Sequence, residues 1–303
     1  MPGQLTHAPR IPTSRSIYQK RPISVSWIGG GGRQAKVSEG RALHVDDYGS
    51  GPAVVLLHGM PSEPEDFDPL VATLTRSHRV LVPHLPGYGR TPPDPESRSV
   101  DDVIARLERW LIDAGIARAD LVAFSAGAYK AVATALRARV AVSRLILFAP
   151  VVGLDPEVAQ GYRDLAAAVR SGAFDARPSW LDRMASPGLA VRDPQTAARV
   201  LAWLQAASPS VLCDELDAMA DAEDLRPRLR DLACRVLVCA GTADSAVPIA
   251  WARDVARGCH HGTLELVEGA GHALLLESPD QVVRLTADFL ATPVDAASIP
   301  GRT

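Results

Sequence analysis

A serine with small neighbours is the strongest candidate for chemistry in the chain. The run AFSAG at 123–127 follows an apolar segment and leads into an Ala-rich one. A strand that ends at Phe124 and a helix that begins near Ala126 would place Ser125 on a sharp turn that exposes its hydroxyl. The Ala126 amide would then lie at a helix N-terminus, where it can donate to a developing oxyanion.

Two further residues supply the groups that a serine nucleophile needs. Asp244 ends the run GTAD at 241–244 and His272 ends the run GAGH at 269–272, each after a predicted strand. Because the carboxyl ends of parallel strands share one edge of a sheet, we expect both side chains near Ser125. His272 would act as the general base and Asp244 would orient it. Asp155 is the alternative acid, but it lies further beyond the end of its strand.

The run HGMP at 58–61 follows another buried strand and is a candidate for the second oxyanion donor. A glycine at this point permits a tight turn that can direct the Met60 amide toward the serine. We therefore predict an oxyanion hole made of the Met60 and Ala126 amides. His58 is interpreted as a structural histidine that bonds nearby backbone.

Apolar runs alternate with helical patterns along most of the chain. This alternation predicts a doubly wound, mostly parallel α/β sheet with helices on both faces. The predicted strands are 35–38, 41–48, 53–57, 79–82, 121–124, 145–148, 235–239 and 264–267. The predicted helices of this core are 100–114, 126–139, 249–258 and 278–290.

The interval between Pro150 and Arg235 contains no convincing strand and reads as an inserted helical cap, 153–230. Its predicted helices are 156–170, 194–207 and 209–222. Prolines at their first positions fit the first turn of a helix. Apolar side chains of the cap, with one from the serine turn, are candidates for the substrate pocket: Phe124, Trp180, Met184, Trp203 and Met219.

The remaining segments and the composition limit the other possibilities. Residues 1–34 are predicted to be a flexible basic leader, 35–152 with 231–291 the core, and 292–303 a tail. A net charge of −3 gives no electrostatic case for nucleic acid or an anionic membrane. The four cysteines form no C-x-x-C pair and the histidines show no metal-ligand spacing, so we expect no disulfide framework, metal or cofactor. We expect a cytoplasmic protein, because no signal peptide or membrane span is evident; the oligomeric state stays open.

The chain order Ser125, Asp244, His272, each after a predicted strand, resembles the α/β-hydrolase superfamily over about residues 35–291. The run PHLPGYGRT at 83–91 is also similar to that family's D-x-x-G-x-G-x-S loop, with His84 where aspartate is common. His84 is either a local structural substitution or a residue that faces the pocket. The cap places the chain among the members with a helical lid, which include esterases, lactonases, C–C hydrolases and cofactor-free haloperoxidases.

The resemblance implies a serine hydrolase that cleaves an ester or lactone bond of a small, largely apolar molecule through an acyl-enzyme. The same three residues could instead hydrolyse a C–C bond or support cofactor-free perhydrolysis. A non-catalytic ligand receptor on this fold is a further alternative, because fold does not fix function. The residues do not identify the substrate.

Overall fold

The computed structural model describes residues 43–172 and 177–293. The predicted leader, the predicted strand at 35–38 and most of the predicted tail lie outside these residues. Within them, no helix has the length and apolar character that crossing a membrane would require.

Seven strands form one sheet in the order β1-β3-β2-β4-β5-β6-β7. Strand β1 is antiparallel to β3, and every other neighbouring pair is parallel. The predicted fold class, a doubly wound and mostly parallel sheet, is therefore confirmed. The strands are β1 (Val45–Gly49), β2 (Ala53–Leu57), β3 (Arg79–Pro83), β4 (Arg118–Phe124), β5 (Ala141–Phe148), β6 (Arg235–Gly241) and β7 (Gly262–Val267).

Strands β4 and β5 begin earlier than their apolar patterns predict, because polar residues lie within their first halves. Asp120 of β4 and Arg144 of β5 form a largely buried ion pair, with Arg144 Nη1 2.8 Å from Asp120 Oδ2. Each charge therefore has an opposite partner on the neighbouring strand, which makes its burial tolerable. The hydrophobic pattern alone could not show this.

Eleven α-helices are present among the described residues. They are α1 (Asp68–Leu74), α2 (Val100–Asp113), α3 (Ala126–Arg137), α4 (Pro156–Arg170), α5 (Arg177–Met184), α6 (Leu189–Arg192), α7 (Pro194–Ala202), α8 (Pro209–Ala220), α9 (Ile249–Gly258), α10 (Leu274–Glu277) and α11 (Pro279–Ala291). Short 3₁₀ helices cover Pro64–Phe67, Trp203–Gln205 and Arg226–Asp231. The sequence patterns did not predict α1, α5, α6 or α10, which have eight residues or fewer and too little length for a clear period.

The described chain between β5 and β6 holds α4 to α8 and no strand. This is the segment predicted to be a cap, and its boundaries, 153–230, stay a prediction. Helix α8 of this segment is joined to α3 by a largely buried ion pair. Lys130 of α3 is 2% exposed, and its Nζ donates to Glu215 Oε1 over 2.8 Å. The hydroxyl of Tyr88 donates to Glu215 Oε2 over 2.6 Å, so both carboxylate oxygens are partnered.

Removing both sides of this ion pair should cost less than the sum of the two single removals. Lys130→Met leaves the Glu215 carboxylate without its cation, and we expect a loss of about 3 kcal/mol in the free energy of unfolding. Glu215→Gln added to Lys130→Met should recover at least about 1 kcal/mol of the summed single losses. Urea unfolding of the two single variants and the double variant measures this coupling. Additive losses would show that the pair does not hold α8 against α3.

Candidate active site

Ser125 lies between β4 and α3 with a backbone conformation that few non-glycine residues adopt, φ 50° and ψ −121°. Such a conformation costs roughly 1–3 kcal/mol and persists only where the surroundings hold it. The Ser125 amide donates to the Phe148 carbonyl over 2.9 Å, and the Ser125 carbonyl accepts from the Ala128 amide over 2.9 Å. The turn is therefore fixed by β5 on one side and by the first turn of α3 on the other.

Two glycines allow the end of β2 to pack directly against this turn. A Cβ atom at Gly59 would lie 2.9 Å from Ser125 Cβ. A Cβ atom at Gly127 would lie 2.4 Å from the Leu57 carbonyl oxygen and 2.5 Å from that of His58. Real Cβ atoms do not approach backbone so closely. Small residues are thus needed for contact between the loop after β2 and the serine turn.

The three residues predicted to do the chemistry meet at the carboxyl edge of the sheet. His272 Nε2 lies 3.0 Å from Ser125 Oγ, and His272 Nδ1 lies 2.9 Å from Asp244 Oδ2. The other oxygen of Asp244 accepts the amides of Ala246 and Val247 over 2.9 and 2.8 Å. An aspartate that accepts the Nδ1 proton leaves the Nε2 lone pair facing the serine hydroxyl.

The alternative acid is placed elsewhere. Asp155 is 54% exposed at its side chain, and its Oδ1 accepts from Arg226 Nη2 over 2.8 Å. The structure therefore brings Asp244, and not Asp155, to the imidazole.

The loop that carries His272 is held by a carboxylate that the sequence patterns did not single out. Glu277 of α10 accepts the Gly271 amide over 3.1 Å, and it accepts the Ser186 amide from the segment between α5 and α6 over 3.1 Å. The Ala273 amide donates to the Met184 carbonyl over 2.7 Å. The only sequence signal for Glu277 is its position at the end of the apolar run Leu274–Leu276, where a carboxylate needs hydrogen-bond donors.

The two predicted oxyanion donors lie on the two segments that meet at the serine turn. Ala126 is the first residue of α3, and Met60 follows Gly59, which contacts Ser125. Neither amide donates a hydrogen bond to another residue within the described ranges. Both are available to a substrate oxygen, and their role in the oxyanion hole stays a prediction.

Comparison with known proteins identifies the family. The pattern of the alpha/beta hydrolase family matches residues 54–285, which contain all three residues that meet at the sheet edge. The chain belongs to the alpha/beta hydrolase family.

Relatives of this α/β hydrolase include enzymes that act on esters. It is 31% identical over 259 residues to the pimeloyl-[acyl-carrier protein] methyl ester esterase of Xanthomonas campestris pv. campestris (strain B100), covering 82% of this chain and 99% of that one. A thermophilic esterase from Thermogutta terrifontis superposes with a TM-score of 0.76 at 25% identity, covering 82% and 92% of the two chains. The enol-lactonase from Burkholderia xenovorans LB400 has the same fold, with a TM-score of 0.72, 24% identity and coverage of 82% and 96%.

His58 in this hydrolase is a structural residue, as the sequence indicated. Its Nδ1 donates to the Gly59 carbonyl over 2.9 Å, and its Nε2 accepts from the Leu85 amide over 3.1 Å. Burial lowers the pKa of His58 to about 4, so the ring is neutral at physiological pH. It ties the loop after β2 to the loop after β3.

His84 also makes structural hydrogen bonds. Its Nδ1 accepts from the Arg90 amide over 3.0 Å, and its Nε2 donates to Asp46 Oδ2 over 3.1 Å. With His44 and Asp46 it forms a group whose ligand atoms lie within 4.8 Å of one another. A metal on His84 Nε2 would require a proton on Nδ1, which already accepts from Arg90. The Arg90 guanidinium also contacts Asp46. The side chains of His44, Asp46 and His84 therefore fit a hydrogen-bond network better than they fit a metal site.

Four of the five predicted pocket residues share one apolar cluster beside the serine turn: Phe124, Trp180, Met184 and Trp203. The Phe124 ring lies 5.1 Å from the His272 ring and 5.8 Å from the Trp203 ring, measured between centroids. The structure does not bring Met219 to them, because it packs in the separate cluster on the other face of the sheet. Contact between these side chains and substrate stays a prediction.

Asp66, in the 3₁₀ helix Pro64–Phe67, is a buried carboxyl that sequence reasoning missed. Its Oδ2 accepts Trp203 Nε1 over 2.8 Å and the Glu63 amide over 3.0 Å, and its Oδ1 lies 3.4 Å from Arg199 Nη2. Burial raises the pKa of Asp66 to about 7 despite these donors. Nothing in the local sequence distinguishes it from its acidic neighbours Glu63 and Glu65, since its partners come from residues 199–203.

The raised pKa of Asp66 predicts a pH-dependent stability. The unfolded chain loses this proton near pH 4 and the folded protein near pH 7. The stabilisation is therefore complete below about pH 4 and is lost as the pH rises through about 7. Asp66→Asn removes the titrating carboxyl and keeps Glu63 and Arg199 as neighbours, so it serves as the reference. We expect the free energy of unfolding of the native protein, relative to Asp66→Asn, to fall by about 2 kcal/mol between pH 5 and pH 8 in urea titrations. An equal difference at both pH values would contradict the prediction.

Proposed function

We propose that this α/β hydrolase cleaves a carboxylic ester of a small molecule by acyl transfer to Ser125. The observation that carries the proposal is the pair of contacts made by one imidazole. His272 Nε2 lies 3.0 Å from the serine hydroxyl while its Nδ1 lies 2.9 Å from the Asp244 carboxylate. This arrangement suits a nucleophile, its base and the group that orients the base.

In the proposed reaction, Ser125 Oγ attacks the ester carbonyl as His272 Nε2 takes the hydroxyl proton. The charge on the carbonyl oxygen is stabilised by the Met60 and Ala126 amides, which have no other described acceptor. The imidazolium is stabilised by Asp244 and then protonates the departing alcohol. Water activated by His272 hydrolyses the acyl-enzyme, returning the serine proton.

Methyl esters are the substrate class that the relatives support best. The Xanthomonas relative is named for a pimeloyl-[acyl-carrier protein] methyl ester, and its matched region spans nearly its whole length. We propose an ester of a small alcohol, with the acyl chain lying among the apolar side chains beside Phe124. We also propose that the enzyme can cleave a lactone. Its proposed location is the cytoplasm.

The first test is covalent labelling at one residue. A fluorophosphonate probe should label the native protein once, at Ser125, and Ser125→Ala should remove both labelling and hydrolysis of p-nitrophenyl acetate and of aliphatic methyl esters. Peptide mass spectrometry locates the label. Binding of esters without turnover across a chain-length series would favour a ligand receptor. Turnover of dienoic or β-diketone substrates in place of esters would favour C–C bond hydrolysis.

A matched pair of aspartate variants tests which acid orients the imidazole. Asp244→Asn should lower kcat by roughly 10³–10⁴-fold, because a neutral amide neither stabilises the imidazolium nor holds the imidazole in the correct tautomer. Asp155→Asn, on the exposed side chain that pairs with Arg226, should keep kcat within about twofold. Steady-state kinetics at pH 7 on one ester compares them. The reverse order of effects would assign the role to Asp155.

A further inference from the structure

The imidazole of His272 has hydrogen-bond partners at its two nitrogens, and its ring also packs against the ring of Phe124. The Phe124 ring contacts it at a centroid distance of 5.1 Å and a tilt of 40°. Phe124 immediately precedes Ser125 in the chain, so its ring packs against the proposed base directly beside the proposed nucleophile. A shift of Phe124 would change the tilt of the imidazole and its distance from the hydroxyl.

Phe124 also packs against an indole from the segment between β5 and β6. Trp203 contacts Phe124 at a centroid distance of 5.8 Å, and it is fully buried. A buried indole N–H needs an acceptor, since an unpaired one costs about 1–3 kcal/mol in folded proteins. The position of the indole therefore depends on where that acceptor is.

The acceptor is Asp66, in the 3₁₀ helix Pro64–Phe67 that follows the predicted oxyanion turn. Its Oδ2 accepts a hydrogen bond from Trp203 Nε1 over 2.8 Å, and the same oxygen accepts one from the Glu63 amide. Asp66 is thus held by its own backbone neighbour while it holds a side chain from residues 199–203. No packing contact between Asp66 and Ser125 is required for this.

We propose that Asp66 is a positioning residue for acyl transfer: by accepting the Trp203 N–H, it fixes the indole against Phe124 and so holds the His272 ring toward Ser125. The inference rests on the proposed function and adds a fourth residue that acts through others. Among the described residues, the hydrogen-bond partners of the Asp66 side chain are Glu63, Arg199 and Trp203, and they include none of the three residues proposed for catalysis.

Loss of the acceptor should slow chemistry without an equal effect on binding. Leucine is close to aspartate in shape but cannot accept a hydrogen bond, so Asp66→Leu leaves the indole N–H unpaired. Asn keeps one oxygen for Trp203 and Glu63, so Asp66→Asn is the conservative variant. Without its acceptor the indole turns toward another one and releases Phe124.

The experiment compares both variants with the native protein in ester hydrolysis and in the rate of fluorophosphonate labelling. We expect Asp66→Leu to lower kcat and the labelling rate constant at least tenfold with KM changed less than threefold. Asp66→Asn should restore both rates to within about threefold of native. Asp120→Asn, at a buried acid at the opposite end of β4, is the control for stability, and should lower the thermal midpoint with kcat unchanged.

Each outcome bears on one proposal. If Asp66→Leu is labelled at the native rate, or if Asp66→Asn is as slow as Asp66→Leu, positioning through the Trp203 hydrogen bond is wrong. If Asp120→Asn slows the reaction as much as Asp66→Leu does, the effect is general destabilisation and the positioning role is likewise wrong. If the native protein itself is not labelled at Ser125, the proposed function fails and not the inference about Asp66. Should Asp66→Leu not fold, Trp203→Phe removes the same hydrogen bond from the other side and should give the same kcat loss.

Discussion

The positive φ of Ser125 is the constraint on which the rest of the site depends. A serine there is strained, and its conformation holds only because backbone presses on it from three sides. Phe148 accepts its amide proton, α3 begins directly after it, and the end of β2 packs against it through Gly59 and Gly127. This conformation exposes the hydroxyl at the edge of the sheet, where the side chains that follow the other strands also lie.

Around this turn, buried polar groups link segments that are distant in sequence. His58 connects the loops after β2 and β3, and Glu277 connects the histidine loop to Ser186. Asp66 connects the loop after β2 to Trp203, and Glu215 of α8 binds Lys130 of α3. Each group is buried or partly buried and has hydrogen-bond partners, so each fixes one register of two segments at a cost in desolvation. These hydrogen bonds make the site rigid, and they couple the positions of the segments that they join.

Much of the fold could be predicted because hydrophobic periods are local. Strand β2 and helices α4 and α9 have the predicted bounds, since their apolar patterns coincide with their burial. The starts of β4 and β5 were missed because Asp120 and Arg144 neutralise each other across strands, and no single-strand pattern contains that information. The helix predicted over 194–207 ends at Ala202 and continues as a 3₁₀ turn that presents Trp203.

The candidate site divides along the same line. Ser125, Asp244 and His272 could be named from sequence because each follows a strand at the same sheet edge, and the structure brings them together. Asp66 and Glu277 could not be named, because what distinguishes them is a donor supplied by a remote segment. The sequence allows two interpretations of His84, and its contact with the Arg90 amide decides for the structural one.

The most direct test of the account is a crystal structure of the phosphonylated protein, because the bound phosphonate resembles the tetrahedral intermediate. We predict a bond from phosphorus to Ser125 Oγ, with the phosphonyl oxygen roughly 2.7–3.1 Å from the Met60 and Ala126 amide nitrogens. Ser125 should keep its positive φ, and His272 should stay hydrogen-bonded to Asp244. A phosphonyl oxygen that points away from both amides, or a Ser125 that relaxes to an ordinary φ on modification, would contradict this prediction.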